Sequence, residues 1–465
     1  MHRLRNQKIE SVGLDISGRH LIVLFSPAEQ KKSGPMADLA MAIAVLKETG
    51  QLTCDIPKST AFIGALSLDG SVHETEGMLA AAMQAKRMGY ETLYVPSDMK
   101  GAATLKDKDF LVPVQHLQDV IDHLSGQSLL PFAESPPVVM ETPRVSQALT
   151  DFSDIIGHDI PKRALMVAAA GGHHVLLSGP PGCGKSMLAA AFPSIIPDMT
   201  EETMVDSFSL YQLAHETRAL TPLPPYRHPH HSASSVSLIG GGTVPKPGEV
   251  SLAHGGVLFL DEMAEFPKKT LDMLRQPLEA GKVTISRVSG TVTFPARFIM
   301  IGATNPCPCG HYRSTKKYCI CTPKQVHAYQ QRLSGPILDR MDIHLELRPI
   351  DLSLTPAEKS MTSAERKDIV TKARNNQYQR FSRPVTNSIV SLEELSLTSP
   401  LSPPLQHLLQ EKSMVHHWSN RVQVNIIRTA RTIADLDGSD SISEAALLEA
   451  IQYRKQTGTT LSSSI

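Results

Sequence analysis

The eight residues GPPGCGKS at 179–186 constrain this chain more than any other stretch. They follow the apolar run Val175-Leu176-Leu177 and precede a small-residue segment, 187–192, with helical character. Strand, glycine-rich loop and helix in that order form the setting of a phosphate-binding loop. The glycines allow backbone N–H groups to turn inward around an anion. Lys185 is then placed to reach the terminal phosphates and Ser186 to hold Mg²⁺. The expected activity is ATP hydrolysis, with Gly179, Pro180, Pro181, Gly182, Cys183, Gly184, Lys185 and Ser186 forming the nucleotide cradle. Cys183 sits at the start of the expected helix, where a thiol pKa is expected to fall.

A second motif completes the site. Residues 256–260 are an apolar strand that delivers Asp261 and Glu262 to its C-terminal end, where α/β ligands bind. Asp261 is expected to orient Mg²⁺ through its water shell, and Glu262 to polarise the attacking water. A further apolar strand, 298–303, ends at Thr304-Asn305, so Asn305 can reach the γ-phosphate or that water. Just before it, 282–294 alternates β-branched residues around Ser289-Gly290, a hairpin pattern. Lys282 and Arg287 on that hairpin are read either as phosphate-gripping cations or as an ordinary solvated face. Arg340, in SGPILDRMDIH, could act on a neighbouring subunit's ATP or pair locally with Asp339 or Asp342. Four of the six cysteines, Cys307, Cys309, Cys319 and Cys321, form two C-x-C pairs nine residues apart. They are read as a tetrathiolate zinc site or as a reduced thiol cluster.

Around these motifs the chain divides by composition. Residues 1–127 read as a small α/β domain, with strands at 21–25, 60–66 and 92–96 and helices at 37–46, 78–87 and 114–124. A Ser/Pro-rich linker occupies 128–150, the nucleotide-binding core 151–350 and an all-helical lid 351–465. Within the core, 200–250 reads as irregular, including RHPHH at 227–231, and 267–278 reads as one helix. In the lid, 363–381 reads as a helix basic along much of its length, and a long helix follows Ser419. With 46 basic and 46 acidic residues the chain is not uniformly basic, so any nucleic acid must meet a local patch or a pore. No apolar run approaches the roughly 18 residues of a membrane span. No export signal is legible either, so a cytoplasmic location is expected.

Two family resemblances follow. KSGPMAD at 32–38, GALSLDGSV at 64–72 and EGMLAAA at 76–82 resemble the proteolytic domain of Lon-type proteases. Met36 stands where that family has its serine and Ala81 where it has its lysine, so the domain is expected to be catalytically inactive. The chain as a whole resembles the YifB/ComM group of Mg-chelatase-like AAA+ ATPases. The match rests on PKRALMVAAAGGHH, GPPGCGKS, PHH, PGEVSLAHGGVLFLDE, LRQPLEAGKVTISR, NPCPCG, SGPILDRMDIH and ARTIADLDG. It implies Walker A at Lys185 and Ser186, Walker B at Asp261 and Glu262, sensor 1 at Asn305, an arginine finger at Arg340 and sensor 2 at Arg421. The 282–294 hairpin matches a pre-sensor-1 insertion. The implied assembly is a hexameric ring that moves DNA and promotes branch migration in transformation or recombination. A metal-chelatase motor and a protein-remodelling ATPase are the alternatives. Relatives carry more sequence before the Lon-like domain, so its first strands are expected to be missing, and Asn425 stands where they tend to have another arginine.

Overall fold

The computed structural model describes residues 34–102, 105, 108–126, 150–243, 245–287, 290–314, 317–350 and 360–454. The strand expected at 21–25 and the linker at 128–149 lie outside them. Two compact units emerge: one gathers residues up to 144 with 201–221 and 286–292, and the other holds the rest.

In the first unit, strands β1 (Thr60–Phe62), β2 (Thr92–Pro96) and β3 (Leu111–Val114) form a parallel sheet in that order. The single strand expected at 60–66 is broken. The chain turns at Gly64, whose N–H donates to Met36 O at 2.8 Å, and only Ala65–Leu66 pair again, with Val72–His73. The helix expected from 114 begins only at Leu117, and Val114 instead ends β3, which contains Pro113. It lies at the sheet edge, where a missing N–H costs no interior ladder bond. The helices Asp38–Glu48 and Met78–Arg87 bury their Leu, Ile and Ala faces against this sheet. The helix Glu201–Ala214 replaces the irregular start expected at 200. Glu201 and Glu202 favour its N-terminus, and Val205 and Phe208 join the cluster of Met78, Leu79 and Leu93.

The second unit is built on five parallel strands. In chain order they are β4 (Val175–Ser178), β5 (Tyr226–Arg227), β6 (Val257–Leu260), β7 (Ile299–Thr304) and β8 (Ile343–Glu346), setting aside the hairpin. Their spatial order is β8-β4-β7-β6-β5, so β4 and β7, adjacent in the sheet, are far apart in sequence. β6 and β7 are buried along their whole length, as a sheet covered on both faces requires. The covering helices include Asp159–Gly171, with Ala164 and Ala168–Ala170 buried, and the lid helices Ser363–Phe381, Asn420–Leu436 and Glu444–Arg454. Every strand presents its C-terminal end on one edge, and the site lies there.

The hairpin forms as expected, with arms Lys282–Arg287 and Gly290–Pro295. The segment 267–278 is two helices rather than one, Lys268–Met273 and Arg275–Ala280. Pro277 lacks the N–H that would have continued the first. Part of the basic side of Ser363–Phe381 turns inward, while Lys372 stays exposed. Arg374 donates to Ala169 O (2.7 and 3.0 Å) and Gln377 to Ala170 O (3.2 Å), satisfying carbonyls at the end of the helix Asp159–Gly171. Lys367 meets Asp198 at 2.6 Å.

The same lid carries a buried ion network. Asp435 accepts from both Arg380 and Arg431, the latter at 2.7 and 3.2 Å, and from Asn387 Nδ2 at 2.8 Å. Arg431 also donates to Asp440 O at 2.7 Å, and its side chain is only 1% exposed. Among the described residues no helix is long and apolar enough to cross a membrane.

Candidate functional site

Strand β4 ends at Ser178, and the Gly179 N–H then donates to Thr304 O at 3.2 Å, joining the tips of β4 and β7. Gly182 and Gly184 hold φ of +72° and +91°, which glycine adopts without strain, and the chain enters the helix Lys185–Ala191. Lys185 is 8% exposed. Its Nζ donates to Gly179 O (2.7 Å), Pro180 O (3.0 Å) and Asn305 Oδ1 (3.1 Å). Burial lowers its pKa, against the opposing pull of nearby Asp261 and Glu262. Asn305 therefore reaches the loop directly.

The tip of β6 closes the other side. Ser186 Oγ donates to Asp261 Oδ2 at 2.9 Å, and Asp261 Oδ1 accepts from the Glu262 N–H at 2.9 Å. A hydroxyl and a carboxylate this close are the oxygen donors a Mg²⁺ ion would take, leaving its other positions to water and phosphate. Glu262 has φ +48°, a left-handed conformation uncommon outside glycine. Its half-exposed carboxylate faces Nδ1 of His231 at 3.4 Å.

His231 was not legible as a partner of Glu262. RHPHH reads as loop histidines, and only its fold next to β5 brings it here. Arg227 anchors that segment by a bidentate pair to Glu249 (2.6 and 2.7 Å), while His228 packs on Phe259 with ring centroids 4.7 Å apart.

Arg340 and Arg421 form a separate group. Both bind one carboxylate: Arg340 Nη2 pairs with Glu279 Oε2, and Arg421 Nη2 donates to Glu279 Oε1 at 2.6 Å. Arg340 with Arg421 beside it holds the Glu279 carboxyl below its usual range. Local pairing of Arg340 with Asp339 or Asp342 is thus not what forms. Glu279, inside LRQPLEAGK, is the residue sequence reasoning missed. Asn425 donates to Asp339 O at 3.4 Å from the same lid helix.

On the hairpin, Lys282, Thr284 and Ser286 share the exposed face, whereas Arg287, also exposed, falls on the face of buried Val283 and Ile285. Lys282 and Arg287 therefore lie on opposite faces, since neighbouring strand residues alternate.

Cys307, Cys309, Cys319 and Cys321 converge, with their sulfurs within 4.8 Å of one another. Cys183 departs from expectation. It is 3% exposed, and burial raises its thiol pKa; the lowering by nearby Lys185 does not compensate. A low-pKa thiol needs a partly solvated electropositive setting, which this closed loop denies it.

Comparison with known proteins follows this geometry. The family "Magnesium chelatase, subunit ChlI" matches residues 151–354, its C-terminal family 360–454, and "Subunit ChlI of Mg-chelatase" 2–99. The "Uncharacterized protein YifB" of Escherichia coli K12 is 38% identical over 458 residues, covering 97% of this chain and 88% of that protein. The "Competence protein ComM" of Haemophilus influenzae is 37% identical over 440 residues, 94% of this chain and 86% of that protein. The "Magnesium-chelatase 67 kDa subunit" of Chlorobaculum parvum is 27% identical over 169 residues, only 33% of this chain. Long matches to YifB and ComM, together with Mg-chelatase domains laid over the strand-tip site, place this chain in the YifB/ComM family of Mg-chelatase-like AAA+ ATPases.

Proposed function

We propose that this chain is one subunit of a hexameric cytoplasmic ring that hydrolyses ATP·Mg²⁺ and uses the turnover to move DNA, as a helicase promoting branch migration. The observation that carries the ATPase half is the convergence of three strand tips. Lys185 touches Asn305 at 3.1 Å, and Ser186 touches Asp261 at 2.9 Å. In this reading the amides of residues 179–186 and Lys185 hold the phosphates, and Ser186 and Asp261 hold Mg²⁺. Glu262 polarises the attacking water, with His231 orienting its carboxylate, and Asn305 senses the γ-phosphate. Arg340 and Arg421 serve as finger and sensor 2, and Glu279 keeps them together. An arginine supplied across a subunit interface can accelerate phosphoryl transfer by roughly 10³–10⁵-fold. The four cysteines are the place for a structural zinc ion.

The DNA half rests on a smaller base. The similarity to a competence protein covers 94% of this chain, and the exposed Lys282 face of the hairpin offers a cation to a backbone phosphate. Residues 1–127 form the Lon-like domain, with Met36 and Ala81 in place of nucleophile and base, and serve as scaffold. A metal-insertion motor has the family descriptions in its favour, but its relative matches only a third of the chain. Measuring ATP turnover with single-stranded DNA, branched DNA, unfolded protein and a porphyrin–Mg²⁺ mixture separates these readings. Stimulation by branched DNA that weakens steeply with salt is expected. Stimulation by protein alone, or none by any DNA at low salt, would refute the helicase reading.

A further inference from the structure

The four cysteines carry an inference of their own. Three of their sulfur separations are 3.4 Å (Cys307–Cys309), 3.6 Å (Cys309–Cys319) and 3.8 Å (Cys307–Cys319). All four residues are free thiols, and a disulfide would need about 2.05 Å. Zinc bound by four thiolates at about 2.3 Å sits at the centre of a tetrahedron whose edge is about 3.8 Å. These three separations fall within a few tenths of an ångström of that edge, and those to Cys321 are no longer than 4.8 Å. Backbone amides of the same segment point at the sulfurs. Tyr312 N–H donates to Cys307 at 3.2 Å, those of His311 and Ile320 to Cys309, that of Cys321 to Cys319, and that of Cys309 to Cys321.

The cluster also touches the nucleotide site. Cys307 lies two residues past Asn305, which accepts from Lys185. Gly310, directly after Cys309, has φ +79°, and a Cβ there would fall 2.5 Å from Pro181 Cδ and 2.6 Å from Cγ. The knuckle thus rests against the phosphate loop on one side and continues into Asn305 on the other.

We propose that Cys307, Cys309, Cys319 and Cys321 hold one tetrahedral zinc ion, and that this knuckle fixes Asn305 and the phosphate loop relative to each other. The second half deepens the zinc reading above and rests on the ATP-binding reading of that loop; the first half does not depend on nucleotide.

The test begins with elemental analysis of the full chain purified under reducing conditions, then incubated with Zn²⁺ and desalted. About one zinc per chain is expected, lost in the Cys309→Ser/Cys321→Ser double variant. Co²⁺ in its place should show tetrahedral d–d bands and sulfur-to-metal charge transfer. Absence of bound metal after incubation, or iron at the same stoichiometry in the purified chain, would overturn the zinc site. Gly310→Ala keeps all four ligands and probes the brace separately. Retained zinc with nucleotide affinity weakened about tenfold or more supports it, and unchanged affinity overturns it. Zinc-loaded wild-type protein that binds no ATP would remove the ATPase reading and with it the brace, leaving the metal site standing.

Discussion

Replacing Asp435 by Ala should be the most damaging single change in the lid. Its carboxylate, buried with the helix Asn420–Leu436, is shared by Arg431, Arg380 and Asn387. Removing it leaves the Arg431 guanidinium, 1% exposed, with only the carbonyls of Ser439 and Asp440 as acceptors. Breaking a buried ion pair by removing one partner costs about 3–5 kcal/mol, most of it from the charge left uncompensated. Asp435→Asn keeps one oxygen and the shape, so its cost should be smaller, about 2 kcal/mol for weakened charge-assisted bonds. Urea unfolding of wild type and both variants, followed by Trp418 fluorescence, reports on the lid; its indole lies against the core cluster of the second unit. The expected order is wild type, then Asn, then Ala. Loss below about 1 kcal/mol for Asp435→Ala would refute the reasoning, because water or the two carbonyls would then satisfy the guanidinium groups. Because Arg421 starts the same helix, nucleotide turnover should fall with the lid's stability.

Glu262→Gln should bind ATP normally but hydrolyse it about 10²–10⁴-fold more slowly, the usual worth of a general base; sustained turnover would take Glu262 out of that role. Arg340→Ala subunits, inactive as pure rings, should regain turnover at interfaces that receive a wild-type arginine, and mixed rings scored by titration check this. Stability should fall on acidification. Burial first, then the Arg297 charge, lowers His254 from 6.5 to about 4, and its Nδ1 must stay unprotonated to accept from the Arg297 N–H at 3.0 Å. Burial and then Arg454 lower His344 likewise to about 4. The unfolded chain therefore binds more protons between about pH 6.5 and 4. Each histidine removes about 1.4 kcal/mol per pH unit across that window and nothing above it. Denaturation midpoints from pH 8 to 4 check the slope, and His254→Gln should remove one share.

Much of the site was legible because its pieces are local. A glycine-rich loop between a strand and a helix, and an apolar strand ending in two acids, carry their chemistry within a few residues of sequence. Asp261 and Glu262 could be named from 256–262 alone, and so could the hairpin arms, whose alternation of buried Val283 and Ile285 is written in the pattern. The four cysteines were visible as a pattern, but the convergence of their sulfurs is seen only in the folded chain.

What the sequence could not determine is which distant residues meet. Local propensity decides elements; partner choice is decided by packing between segments far apart in the chain. His231 reaches Glu262 because β5 and β6 are neighbours in the sheet, and Glu279 meets Arg340 from 61 positions away and Arg421 from 142. Arg374 and Arg380, legible only as part of a basic helix, turn inward because an orphan helix carbonyl and a buried carboxylate await them. Cys183 went the other way. Its position beside a helix start promised a reactive thiolate, and the close packing of the loop withheld the solvent that a thiolate needs. The loop at 179–186 was determined by its own residues; the contacts it makes with Asn305 and Pro181's neighbour Gly310 were decided only when the strands came together.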